Sequence, residues 1–377
     1  MPIYFTYVLT LLSQTASRGA RVLLTLYALN LGAQPMAIGG LAATLSILPM
    51  FLSWRVGRLS DEFGPRWLLV FGAFSGASGL FLPFFWPHLP ALYIAAAMNG
   101  LAIAFLNVSL QNLVGLFSTA QDRAKNFSNY SLMNSVASFL GPLFAGFSID
   151  HGGYAATCLY MALLSMVPAM LVVARGGMLP KGTGTSKDAN GSLKEMLADS
   201  GLWAVLVSGS LVQSGLDIFQ FYMPVYAHGI GLSPSVIGAV LAVFALAGFV
   251  VRFTLPRFIA WRSEEFVLAY AFYVAAASFL LVPFFKSALT LGLVSFAFGL
   301  GNGCGQPITM MLTVRGSSTG RSGEALGLRL TANHLTRVIG PALFGYIASA
   351  VGLPAIFWIN ALMQMAGGRL NHKRKNG

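Results

Sequence analysis

The chain has 377 residues, of which 56% are hydrophobic and only 9% are charged, and its mean hydropathy is +0.72. Soluble globular domains carry about 25% charged residues, so this composition excludes a soluble globule of this length. The net charge of +12 does not indicate a nucleic-acid partner, because the basic residues fall together on one side of the predicted membrane helices. We therefore predict an integral membrane protein in contact with the lipid bilayer.

Twelve apolar stretches follow one another along the chain, and most have the roughly 20 residues that cross about 30 Å of hydrocarbon as a helix. Their predicted spans are residues 3–29, 36–54, 67–86, 90–117, 124–149, 154–174, 202–227, 234–253, 266–285, 288–314, 324–351 and 354–366, of which the last is short. With the N-terminus in the cytoplasm, the loop Lys and Arg residues lie on the cytoplasmic side, and only Lys286 is clearly placed opposite. We expect a multi-pass protein of the inner (cytoplasmic) membrane with both termini in the cytoplasm.

The first predicted helix carries a polar face. Gln14, Arg18 and Arg21 are spaced by four and three residues, so they share one side of the helix. A charged group near the bilayer centre costs at least about 2.5–3.5 kcal/mol, so these side chains should face a partner or water. Alternatively, Arg21, or Arg329 in the eleventh helix, snorkels toward the interface or pairs with the backbone.

The loop after the second predicted helix contains a spaced motif of Gly, acidic and basic residues. The sequence Gly57-Arg-Leu-Ser-Asp61-Glu-Phe-Gly64-Pro-Arg66 resembles the G-x-L-x-D-x-x-G-x-R signature of the major facilitator superfamily. The resemblance implies a twelve-helix transporter in which helices 1 and 7 flank a central cavity. It also implies that Asp61 helps to close the cytoplasmic side, here against the start of the eleventh helix or against Arg123. The alternative is a topogenic basic loop with an incidental Asp.

A Gly-Pro element follows in the fifth predicted helix and returns in the eleventh, as Gly141, Pro142 and Gly146 and then Gly340, Pro341 and Gly345. Small residues let helices approach closely and Pro kinks a helix. The element resembles the G-P-x-x-G-G sequence of proton-driven exporters in the same superfamily, with Ala145 in place of one Gly. Because both halves contain it, a purely structural kink is the competing interpretation.

The two halves of the chain match each other when one is shifted by 199 residues. Matched pairs include Tyr27/Tyr226, Gly32/Gly231, Gly100/Gly299 and Gly153/Gly352. We predict an all-α membrane protein of two parallel six-helix repeats, residues 1–174 and 201–377, joined by a polar cytoplasmic linker at 175–200. The shift carries the polar face of the first helix to Gln213, Asp217 and Gln220 in the seventh.

Further polar residues fall within the predicted helices, and a binding site between the repeats is expected to collect them. The predicted substrate-binding residues are Gln14, Arg18, Arg21, Asn107, Gln213, Asp217, Gln220, Gln306, Asn333 and Arg337. Arg18 and Asp217 are candidate partners across the cavity, or a structural lock. Asp217 and His334 are the proton-coupling candidates, since arginine stays protonated. The fourth helix has Ala96 where many proton antiporters of the family carry a basic residue.

These features predict a secondary active transporter that moves a small organic, anionic or amphiphilic compound by alternating access, with proton-coupled efflux as the leading hypothesis. The alternatives are uptake of an organic anion or metal-chelate siderophore, and a non-transporting membrane receptor or assembly component. No clustered nucleophile and base, metal-ligand spacing or phosphate loop occurs in the sequence, so we expect no enzyme, cofactor or metal. The expected partners are a small-molecule substrate, the bilayer and protons, and the protein is expected to be a monomer.

Overall fold

The computed structural model describes residues 2–118, 122–175, 177, 179, 200–316 and 322–376, and within these ranges all repetitive secondary structure is helical. The helices are α1 (Pro2–Asn30), α2 (Pro35–Phe63), α3 (Pro65–Phe85), α4 (Leu89–Leu116), α5 and α6 (together Arg123–Arg175), α7 (Ser200–Gly229), α8 (Pro234–Trp261), α9 (Glu264–Leu281), α10 (Ala288–Gly316), α11 (Ser322–Val351) and α12 (Leu353–Asn376). Gly153, at φ 78° and ψ 172°, separates α5 (123–152) from α6 (154–175). The described ranges therefore contain the twelve helices that the sequence predicts. Most of the predicted linker lies outside them.

Eight described stretches are long and apolar enough to cross a membrane, and one of them covers both α5 and α6. Helix α1 does not reach this level of hydropathy, since it carries Gln14, Arg18 and Arg21, nor does α11, which carries Arg329 and Arg337. The polar residues that lower the hydropathy of these two helices are largely those that the sequence assigns to the site. The prediction of an all-α membrane fold is confirmed.

Helix α12 is longer than its apolar stretch predicts, because it continues from residue 366 to Asn376. Its extension is held by a buried polar contact. The amide of Asn371 donates to the Ser208 hydroxyl of α7 and to the Gly367 carbonyl, each at 2.9 Å. Hydropathy alone misses this part of the helix because its packing is polar.

By compactness the chain divides into two units, each described by itself. The first comprises Met1–Asp188 and Gly231–Ala242, and the second comprises Ala189–Ile230 and Val243–Gly377. The first half of α8 thus groups with the first unit.

The repeat seen in the sequence is also a repeat of backbone geometry. Gly32 and Gly231 have φ of 80° and 86°, a left-handed conformation that favours glycine, and each lies two residues after the end of a helix. Gly100 and Gly299 repeat a close helix contact. A Cβ on Gly100 would meet the Leu45 carbonyl oxygen at 2.6 Å, and one on Gly299 would meet the Phe244 carbonyl oxygen at 2.5 Å. Leu45 and Phe244 are themselves 199 residues apart, so each unit packs these helices alike.

The cores of the two units differ in composition. The second unit contains a chain of aromatic contacts in which the Phe298 ring lies 4.6–5.3 Å from the rings of Phe219, Phe244 and Phe279. At the matching positions the first unit has Ala20, Leu45, Leu80 and Asn99. The shared backbone plan therefore carries a bulkier and more aromatic interior in the second unit.

Candidate functional site

Helix α7 brings an ionisable side chain into the interior of the second unit. Asp217 is only 2% exposed and Gln213, one turn earlier, is 1% exposed. The Gln213 amide nitrogen Nε2 donates to the Asp217 carboxylate oxygen Oδ2 at 2.9 Å. A buried carboxylate without such donors would carry a large desolvation cost, so this bond helps to hold the charge in place.

Helices α10 and α11 continue the polar contacts of α7. Gln306 on α10 donates from Nε2 to Gln213 Oε1 at 3.1 Å. Arg329 on α11 is 5% exposed, and its Nη2 lies 2.5 Å from Gln306 Oε1 and 3.2 Å from Thr309 Oγ1. An unbroken series of hydrogen bonds therefore joins Arg329 to Asp217 through two glutamine amides.

Three further predicted residues lie on α11 beside this series. Arg337 is half-buried, and its Nη2 donates to Gln213 Oε1 at 3.3 Å. Asn333 is buried and His334 half-buried. Among the described residues, no hydrogen-bond partner lies near Asn333 Oδ1, His334 Nδ1 or the Nε atoms of Arg329 and Arg337. Unused donors and acceptors therefore remain beside a largely satisfied network.

The first unit holds the matching amide contact. Gln14 on α1 donates from Nε2 to Asn107 Oδ1 on α4. The 199-residue shift turns this pair into Gln213 and Gln306, so both units join the same two helices through amide side chains. The direction of donation is reversed in the second unit, where the α10 amide donates to α7.

The two basic residues of the predicted α1 face, Arg18 and Arg21, are both half-buried. Arg18 interacts electrostatically with Tyr130 of α5, which also contacts the side chains of Asn134 and Gln111. The first unit thus places Arg18 and Gln14 on one polar face, as the spacing predicts. Gln220 is half-buried on α7. The partnership of Arg18 with Asp217 joins residues of different units and stays a prediction.

The loop motif is described in part. Gly64 has φ 82° and ends α2, and its N–H donates to the Ser60 carbonyl at 3.1 Å. The Ser60 hydroxyl accepts from Asn112 of α4 at 2.8 Å, and the Arg66 guanidinium lies 5.3 Å from the centre of the Trp67 ring. Gly57, Asp61 and Arg123 lie in helices whose backbone is described, but the side chains of Asp61 and Arg123 lie outside the described set. The proposed gate contact of Asp61 therefore stays a prediction.

The two Gly-Pro elements have different surroundings. A Cβ on Gly141 would meet the Arg18 Cβ at 2.7 Å and the backbone of Thr15 and Gly19 at 2.9 Å, so this glycine lets α5 approach α1 closely. Gly146 similarly allows α5 to approach the Pro234 backbone at the start of α8. At Gly340 a Cβ would meet none of the described atoms within 4 Å. On α11, the Pro341 carbonyl accepts from the Tyr222 hydroxyl at 2.5 Å, and Gly345 follows four residues later.

Thr309 and Arg329 belong to this network but not to the predicted set of site residues. A signal for both exists in the spacing. Gln306 and Thr309 are three residues apart on α10, and Arg329 and Asn333 are four apart on α11, so each pair shares a helix face. A hydroxyl is too common in membrane helices for the spacing alone to select it.

An all-α membrane fold of two repeated units, with the buried Asp217 on α7 and the buried Arg329 on α11, is typical of polytopic transporters. The comparisons with known proteins agree. The model of the Major Facilitator Superfamily matches residues 4–341, so the chain belongs to that family. Its members are transporters and not enzymes, which confirms that part of the prediction.

Alignments with individual relatives cover most of this chain. The chain is 24% identical over 330 residues to the uncharacterized MFS-type transporter YuxJ of Bacillus subtilis, covering 82% of this chain and 81% of the relative. It is 23% identical over 332 residues to the quinolone resistance protein NorA of Staphylococcus aureus, covering 85% and 83%. The solved nucleoside transporter NupG aligns over 99% of both chains with a TM-score of 0.82 at 14% identity, a likeness of fold alone.

Proposed function

We propose that this transporter exports a small organic compound, anionic or amphiphilic, in exchange for protons. The observation that carries the proposal is the hydrogen-bonded series from Asp217 to Arg329 inside the second unit. Asp217 is an acid that can exchange a proton, whereas arginine stays charged. A transporter that uses a proton gradient needs one such group whose environment changes during the cycle.

The charge balance supports an anionic substrate. Arg18 and Arg21 on α1 and Arg329 and Arg337 on α11 give four arginines against one acid, Asp217, among the described side chains of α1, α7 and α11. Arginine presents a planar fork of donors that matches carboxylate, sulfonate and phosphate groups. We propose Gln14, Arg18, Arg21, Asn107, Gln213, Asp217, Gln220, Gln306, Asn333 and Arg337 as the substrate-binding set, with Arg18 and Asp217 as partners.

The proposal of export rests on relatives. NorA is named for quinolone resistance, and another relative, at 23% identity, is named multidrug resistance protein 1 of Bacillus subtilis. Quinolones are aromatic compounds that carry a carboxylate, which agrees with a cationic site. We also propose alternating access gated by Asp61, a monomeric state, and a place in the cytoplasmic membrane with both termini inside.

Everted membrane vesicles test this proposal. Norfloxacin, a quinolone, should accumulate in vesicles that contain the protein when the lumen is acidified, and collapse of the proton gradient should release it. Asp217→Asn should abolish gradient-driven accumulation, while Asp122→Asn, which changes an exposed acid at the start of α5, should retain it. Accumulation that persists in Asp217→Asn, or that ignores the proton gradient, would refute the proposed coupling.

Uptake of an organic anion, such as a metal-chelate siderophore, is the second candidate, and the excess of arginines over acids on α1, α7 and α11 favours it equally. The same protein in right-side-out vesicles separates the two. Export predicts norfloxacin accumulation in everted vesicles only, whereas uptake predicts accumulation of an organic anion in right-side-out vesicles with an acidic exterior.

A further inference from the structure

The hydrogen bonds between Arg329 and Asp217 all run in one direction. Arg329 donates to Gln306, Gln306 donates to Gln213, and Gln213 donates to Asp217. Guanidinium has no acceptor and a carboxylate has no donor, so each end of the series admits one orientation of the amide beside it. The charges at the two ends therefore fix the orientation of both glutamines.

The first unit contains the matching amide pair beside a side chain of opposite charge. There the residue four positions after the α1 glutamine is Arg18, a donor, where the second unit has the acceptor Asp217. The amide pair is also reversed, since Gln14 donates to Asn107 whereas Gln213 accepts from Gln306. The orientation of the amide pair follows the sign of the charge one helical turn away in both units.

Protonation of Asp217 would remove what fixes this orientation. A neutral carboxyl group has an O–H that can donate to Gln213 Oε1, and its acceptor oxygens lose their charge, which roughly halves the strength of the bonds they receive. If Gln213 turns its oxygen toward Asp217, its amide nitrogen faces the amide nitrogen of Gln306, and two donors oppose each other. Gln306 must then turn as well, which withdraws its oxygen from Arg329 and presents an NH₂ group to it.

We propose that Gln213 and Gln306 act as positioning residues that pass the protonation state of Asp217 to Arg329. With Asp217 ionised, the glutamine oxygens hold Nη2 of Arg329 and of Arg337, and the two Nε donors, which have no partner among the described residues, are oriented for an anion. With Asp217 protonated, the amides turn and the arginines lose that position. Proton and anion then exclude each other, as exchange transport requires, so the inference rests on the proposed function.

Other ionisable groups surround Asp217 on the helices that pack against α7 in the second unit. Helix α11 contributes Arg329, His334 and Arg337 near the level of the relay. The remaining described ionisable side chains on these helices are Tyr222, Tyr226 and His228 on α7, Cys304 and Arg315 on α10, Tyr346 on α11, and Arg369 and His372 on α12. Tyr222 donates to the Pro341 carbonyl and the Cys304 thiol to the Leu300 carbonyl, so neither joins the relay. His334 is the group whose titration must be separated from that of Asp217.

Infrared difference spectra between high and low pH test the relay without any substrate. Arginine is labelled by ¹⁵N in the guanidinium group, so that its bands can be recognised. The wild-type protein should show a carboxyl C=O band that is absent in Asp217→Asn. Guanidinium bands that shift with the label should change together with this carboxyl band. Gln306→Leu should keep the carboxyl band and lose the coupled guanidinium change. His334→Gln should keep both. Gln364→Leu removes a buried glutamine that bonds to Leu211 and Asn360 instead of the relay, and it should also keep both.

Benzenesulfonate, which stays ionised throughout this pH range, tests the exclusion. By reciprocity of linkage, its addition at a fixed acidic pH should weaken the Asp217 carboxyl band in the wild type and not in Gln306→Leu. Gln306→Glu is a second variant that should interrupt the relay, and its side chain has the same size as glutamine. A charge at 306 should hold Arg329 whatever the protonation state of Asp217. Guanidinium changes that persist in Gln306→Leu, or a carboxyl band that benzenesulfonate leaves unchanged, would overturn the relay. The export assay would be untouched by that result.

Discussion

At the scale of single residues, the second unit shows how a membrane protein keeps opposite charges in its interior. Asp217 and Arg329 are both buried, and two amides stand between them. Breaking a buried charged network by removing one partner is far more costly than replacing the whole network, since the remaining charge is left uncompensated. The geometry of each donor should therefore matter as much as its charge.

The change Arg329→Lys tests the importance of donor geometry at one position. Lysine keeps the charge but presents a single point of donation, so it cannot reproduce the guanidinium contacts with Gln306 and Thr309. We expect a loss of about 1–3 kcal/mol in the free energy of unfolding, the cost of a buried polar group left unsatisfied. Equilibrium unfolding in mixed micelles measures it. Arg369→Lys, at an exposed position on α12, should change it by less than about 0.5 kcal/mol.

At the scale of elements, the repeat does not give equivalent positions equivalent roles. Gly141 and Gly340 are matched by the 199-residue shift and both precede a proline. Gly141 packs against the backbone of α1, whereas a Cβ on Gly340 would meet none of the described atoms within 4 Å. Sequence matching shows where small residues recur, but only packing shows which of them a neighbouring helix requires.

We therefore expect losses of very different size from the same substitution at the two glycines. Gly141→Ala should destabilise the protein by about 1–3 kcal/mol, because the new methyl group meets backbone atoms that cannot move aside. Gly340→Ala should change stability by less than about 0.5 kcal/mol, because the gain in helix propensity is offset by crowding of the new methyl group against the ring of Pro341. Thermal unfolding of both variants decides the question, and a loss of similar size at both sites would contradict the packing difference.

The start of α8 provides a second prediction at this scale. The Asp150 carboxylate near the end of α5 accepts from the Ser235 N–H at 2.9 Å, so it caps the first turn of α8. Asp150→Ala should cost about 0.5–1 kcal/mol, typical of a lost cap at an exposed site. Asp150→Asn keeps an acceptor and loses only the favourable charge at the helix N-terminus, so its cost should be smaller. If both variants unfold like the wild type, the contact contributes nothing to stability.

At the scale of the whole molecule, the fold was largely predictable because membrane insertion needs long apolar helices and duplication repeats its glycines. The polar faces of α1, α7 and α11 were predictable for the same reason, since buried charges are rare enough to stand out. The hydrogen-bond partners within these faces were not predictable. Whether Arg329 contacts Gln306 depends on the rotation of α10 and α11 about their axes, which hydropathy does not specify. The polar packing of Asn371, which extends α12, was hidden for a similar reason.

The orientation of the protein in the membrane follows from charge and helix number together. Each membrane-spanning helix reverses the side on which the next loop lies, so after an even number of helices both termini share a side, and the positive-inside rule predicts that this side is the cytoplasm. Cys158 and Cys304 are free and buried, which leaves a low background for thiol labelling. We expect Lys286→Cys, at an exposed position before α10, to react with an impermeant maleimide in intact cells. His372→Cys, exposed near the end of α12, should react only after permeabilisation, and the reverse pattern would invert the proposed topology.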